Sequence, residues 1–116
     1  MTIMTYNYIN FDYLDTMTGG DEDMKQEMLG MLIAEIPDEV AKMQTATAAA
    51  DWHEVFQISH KFKTTLSFIG NPELISLTKT IEYCARHHVD LTELPPMVEQ
   101  IAKLSKPVMA ELQQSL

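Results

Sequence analysis

Apolar residues recur at spacings of three and four through most of the chain, and no stretch alternates for long enough to suggest a strand. Residues 1–9 are polar and aromatic without a clear period. Phe11, Leu14 and Met17 then follow at spacings of three, with Asn10 placed as an N-cap and Gly19-Gly20 as a stop, which predicts a short first helix. Asp21 is the next cap, followed by acidic residues that suit the positive end of a helix dipole. From there Met24, Met28, Met31, Leu32, Ile36, Val40 and Met43 continue one stripe toward Ala50. Pro37 lacks the N–H that an interior helical position donates, so a kink or brief break is expected near Ile36 within one long bent helix over 21–49.

Asp51 and Glu54 have the spacing of a capping box and open a third helix whose inner face reads Trp52, Val55, Phe56, Ser59, Phe62, Leu66 and Ile69, with Gly70 as its stop. Asn71-Pro72 is a cap followed by proline at the first helical position, where a missing donor costs nothing. Leu74, Leu77, Ile81 and Cys84 or Ala85 form the fourth stripe, which should end near His87-His88, and Val89 to Leu94 reads as a loop. Pro95-Pro96 start a fifth helix with Val98, Ile101, Leu104 or Ser105, Val108 and Leu112 facing in and Pro107 bending it. The expected fold is all-α: an antiparallel up-down four-helix bundle with a short additional N-terminal helix, residues 10–116 forming the domain and 1–9 an N-terminal segment free to flex.

Composition agrees, since a chain of 116 residues that is 46% hydrophobic, with only 4 Gly and 5 Pro, suits one helical domain with one core. Nine Met residues are read as core filler. Eight Lys+Arg against 17 Asp+Glu give a formal charge of −9, which disfavours nucleic acid and anionic membrane as partners. No apolar stretch approaches the ~20 residues that span a bilayer, and no basic segment followed by an apolar core opens the chain. A single cysteine, Cys84, fits a reducing, cytoplasmic setting.

The candidate chemistry lies on the third helix. At ~100° per residue its apolar stripe centres near Ser59 and Leu66, and His60 falls roughly 120° away, pointing outward. His53, Gln57, Thr64, Ser67 and Asn71 share that strip, which along this helix carries no carboxylate, and Lys63 borders it. An outward imidazole keeps a neutral ring nitrogen near pH 7 and can attack phosphorus, while Lys61 and Lys63 make a local island tolerant of a dianion. A solvated helix face would carry the same residues, so spacing alone leaves both readings open. His87 and His88 suit a helix C-terminus, and Cys84 with His88 supplies only two ligands, too few for a metal site.

The string His60-x-x-Lys63 followed by Gly70, Leu74 and Leu77, and preceded by Pro37-Asp38-Glu39-Val40 and Ala48-Ala49-Ala50-Asp51-Trp52, resembles the histidine phosphotransfer (HPt) domain family. Tyr13-Leu14 and Gly19-Gly20-Asp21 resemble its N-terminal region, so the similarity runs from about Phe11 to at least Glu82. The resemblance implies that His60 is phosphorylated, that Lys63 stands beside it, and that Lys61 and Glu82 border it. Thr64, Ser67, Gln57 and His53 would complete the surface that meets a partner.

The implied role is that of a phosphoryl carrier rather than an independent kinase: His60, at Nε2, takes a phosphoryl group from a receiver-domain aspartyl phosphate and passes it to another receiver. Response-regulator receivers, and a hybrid sensor kinase, are the expected partners of a monomeric chain that holds no cofactor, with Mg²⁺ on the receiver. No Gly-rich nucleotide motif accompanies the histidine. One departure stands out: the family usually has Gly directly after the lysine, and here Thr64 narrows access to His60. The alternatives are an HPt-like adaptor that binds receivers without carrying phosphate, and a bundle with a metal or small ligand held by its histidines.

Overall fold

The computed structural model describes residues 6–116. Its α-helices span Asp12–Thr18 (α1), Glu22–Ala48 (α2), Trp52–Ser67 (α3), Pro72–His87 (α4) and Leu94–Gln114 (α5), with a 3-10 turn at Leu91–Glu93 and no strand among the described residues. α3 packs on α2 and α4, and α5 closes the ring against α4 and α2. Because the connectors are short, consecutive long helices reverse direction, giving the expected up-down bundle. α1 packs on α2.

Three helix starts are capped where the sequence places the caps. Asp21, Asn71 and Asp51 accept hydrogen bonds from the backbone N–H of Met24 (3.1 Å), Leu74 (2.9 Å) and Glu54 (3.2 Å), interactions worth about 1 kcal/mol each. At α1 the cap position is Phe11, and Asn10 serves from one residue earlier by accepting the N–H of Asp12. α4 ends as expected, with His88 in the left-handed region at φ 53°. The segment read as a loop after Val89 holds the 3-10 turn, and fully buried Leu94 anchors the start of α5.

The core runs through Leu29, Leu32, Ile36 and Met43 of α2, Val55, Phe62 and Leu66 of α3, Leu74 and Ile81 of α4, and Val98, Ile101, Val108 and Leu112 of α5. The reading of methionine as core filler holds for Met43 but fails for Met17, Met24 and Met31, which are exposed. The inward line of α2 steps back from Ile36 through Leu32 to Leu29, leaving Met24 and Met31 on the flank. Pro37 and Pro107 interrupt neither helix: α2 and α5 run on through them, with Ile36 and Val108 fully buried beside them, so packing offsets the lost bond.

The segment before α1 is tied down over residues 7–10 rather than left free. The buried Glu111 carboxylate on α5 accepts the backbone N–H groups of Asn7 and Tyr8, both at 3.0 Å. Asn71 Nδ2 donates to Tyr8 O at 2.9 Å, and Asn10 N donates to Ile69 O at 2.9 Å. Ile9 and Phe11 are buried by this arrangement. Residues 1–5, the rest of the segment expected to flex, lie outside the described residues.

Candidate functional site

His60 stands near the middle of α3 with its side chain 66% exposed. Its neighbours hold the helix in that orientation: Ser59 is fully buried with Oγ bonded to Val55 O at 2.7 Å, and Phe62, on the turn beyond His60, is fully buried. The imidazole lies 5.9 Å, centroid to centroid, from the ring of Phe56 one turn earlier. Its Nδ1 faces Glu82 Oε1 of α4 at 3.7 Å, beyond hydrogen-bond length but close enough for charge to act.

The carboxylate-free strip of the third helix does not survive the packing of its neighbours. Lys63 Nζ lies 2.8 Å from Glu82 Oε2, with both side chains mostly withdrawn from water. That oxygen is sealed from solvent and has no well-aligned hydrogen bond, so it meets Lys63 as a charge. Lys61 turns the other way, to the buried Glu39 of α2 at 3.6 Å, which Lys42 also approaches at 3.9 Å. The lysine island is therefore two ion pairs whose acidic halves come from α4 and α2, helices that periodicity along α3 cannot see.

Of the other expected residues, Thr64 is exposed one turn beyond His60, while Ser67 is half-buried and donates its hydroxyl to Thr64 O. His53 and Gln57 are exposed on α3, with their Nε2 atoms 3.5 Å apart. Asn71 leaves the strip altogether: it is buried as the cap of α4 and as the anchor of Tyr8. Cys84 is buried, and burial, reinforced by Asp90 and Glu93, pushes its thiol pKa up. Among the described residues no three His, Cys, Asp or Glu side chains are grouped to hold a metal ion, and no helix is long and apolar enough to cross a membrane.

Three features escape the sequence reading. A groove of about 460 Å³ opens beside His60 between α2 and α3, with Met28, Met31, Leu32 and Phe68 supplying its apolar lining and Glu35 and Lys61 among its polar members. Glu39 was unmarked as the partner of Lys61. Arg86 of α4 places its guanidinium 5.7 Å from the Phe56 ring centroid, beside the ring that also touches His60. Only the Phe56–His60 contact had a signal in the sequence, the i, i+4 spacing on one helix.

The arrangement offers an exposed imidazole with one nitrogen turned to a carboxylate, a lysine alongside, and an apolar groove at its edge. Comparison with known proteins fits that inventory. A search of the curated proteins finds no match. Among solved structures, histidine-containing phosphotransfer protein B from Pseudomonas aeruginosa PAO1 is similar with a TM-score of 0.84 at 21% identity over 96% of both chains. The HPT domain of the Hpt sensor hybrid histidine kinase from Shewanella is similar with a TM-score of 0.79 at 25% identity, over 93% of this chain and 92% of that one. The family model described as Hpt domain matches residues 27–115, and the chain therefore belongs to the Hpt family of histidine phosphotransfer domains that serve phosphorelays.

Proposed function

We propose that His60 is the phosphoryl carrier, accepting from the aspartyl phosphate of one receiver domain and donating to the aspartate of another. The observation that carries this reading is the orientation of the ring: Nδ1 is turned to Glu82 while the side chain remains two-thirds exposed. With Nδ1 on the side of the Glu82 carboxylate, Nε2 is the nitrogen on the far, open side of the ring and would be the one to attack. In-line attack forms the Nε2–P bond as the P–O bond to the aspartate breaks and its carboxylate leaves. Glu82 then stabilises the positive charge that develops on the imidazole, and Lys63, within reach of the same carboxylate, offers its ammonium to the phosphoryl oxygens. The return step runs the same geometry backward. Mg²⁺ would act from the receiver, and this chain supplies an oriented nucleophile and a surface to dock against.

The test is incubation with a phosphorylated receiver domain. Acid-labile, base-stable label should appear on this chain and vanish in His60→Gln. Binding without label transfer to the wild-type chain would sink the proposal in favour of an adaptor that carries no phosphate.

A further inference from the structure

Three cations border His60, and their charges are not equally committed. Lys63 is paired with Glu82 and Lys61 with Glu39. Among the described residues Arg86 has no carboxylate within 4.0 Å, and its guanidinium lies over the face of Phe56. The register of the two helices explains the position. His60 meets Glu82, and one turn back on α3 and one turn on along α4, Phe56 meets Arg86. The two contacts are successive rungs of one antiparallel pair, separated by a helical turn of about 5.4 Å.

That separation decides what the guanidinium can touch. It is exposed and braced against an aromatic ring, so little freedom is lost when it forms a new contact. It stands a turn away from the rung that holds His60, and therefore faces the body of a docked protein rather than a group on Nε2. A planar guanidinium with open donors matches a carboxylate through two parallel hydrogen bonds, geometry that an ammonium cannot reproduce.

We infer that Arg86 is a specificity-determining residue that receives an acidic side chain of the docked receiver domain. The inference rests on the reading of His60 given above and adds the chemistry by which one partner is preferred. On a surface of net charge −9, this cation, the one beside the site without a carboxylate partner among the described residues, favours a partner with a carboxylate at the matching place and disfavours one with a lysine there.

The experiment uses a receiver domain, phosphorylated with acetyl phosphate, that labels the wild-type chain. KM and kcat for transfer are measured for wild type, Arg86→Gln and Arg86→Lys at low and high salt, together with the half-life of the phosphohistidine. Arg86→Gln keeps the aliphatic stem over Phe56, and its melting curve checks that the bundle is intact. KM should rise about fivefold in Arg86→Gln, as expected for loss of one exposed pair, with kcat and phosphohistidine half-life unchanged and a weaker dependence on salt. Arg86→Lys should recover only part of the loss. An unchanged KM in Arg86→Gln overturns the inference, and so does a fall in kcat or a changed half-life at constant KM, which would place Arg86 on the phosphoryl group. Absence of label on wild type with every receiver tried is a different failure, that of the His60 reading itself.

Discussion

His60 is oriented from one side and crowded from another. Glu82 faces Nδ1, Phe56 flanks the ring one turn earlier, and Thr64 occupies the next turn of the same exposed face. Thr64 stands where the family usually has Gly, and its branched side chain would limit how closely a second protein can approach. Thr64→Gly should therefore raise the rate of transfer from a phosphorylated receiver while lowering stability by about 1 kcal/mol, the cost of glycine inside a helix. Rates measured alongside thermal unfolding separate the two effects, and an unchanged rate defeats the steric account. The histidine and its exposure were legible from periodicity, and the resemblance pointed to Lys63 and Glu82 as its neighbours. That Lys63 is already spent on Glu82, and Lys61 on Glu39, was not legible, because a contact between helices leaves no period in either sequence.

Among the elements, the turn between α3 and α4 carries the tightest constraint. Gly70 adopts φ +66°, and a Cβ there would stand 2.5 Å from Asn10 O. Gly70→Ala should destabilise the protein by about 2 kcal/mol or more through left-handed strain and this clash, read as a lower denaturation midpoint. The same substitution should loosen the Asn10 N to Ile69 O bond that holds the entry to α1. Helix ends proved the most readable features of the chain, since Asp21, Asp51 and Asn71 each announce a cap by residue type and position. The methionines were the least readable. Hydrophobicity and spacing place Met24 and Met31 inside, yet Leu29 takes the inward line and leaves Met31 exposed at the groove beside His60. The prolines were read closer to the mark: Pro37 was expected to kink or briefly break one long helix and Pro107 to bend another, and both helices run on unbroken through them, held by the buried stripes on either side.

For the molecule as a whole, the bundle is closed at one end by a clasp between its two termini. Glu111 near the end of α5 receives two backbone N–H groups from the segment before α1. Glu111→Ala leaves both donors and a buried gap, and should cost about 2–3 kcal/mol, measured as a drop in the midpoint of thermal or urea unfolding. Transfer at low temperature should be little changed, since the clasp touches none of the residues around His60. Sequence patterning delivered the number of helices and their up-down order, but this clasp joins positions a hundred residues apart, and nothing in the local pattern of Glu111 distinguishes it from a solvated residue. The resting ion pairs around His60 also bear on how the molecule handles its cargo. Each lysine there is already balanced by a carboxylate, so a phosphoryl group on His60, as proposed, would come as surplus negative charge beside Glu82, and Lys63 would divide itself between two anions. A carrier wired in this way would grip its load weakly, and that weak grip would keep the load ready to move on.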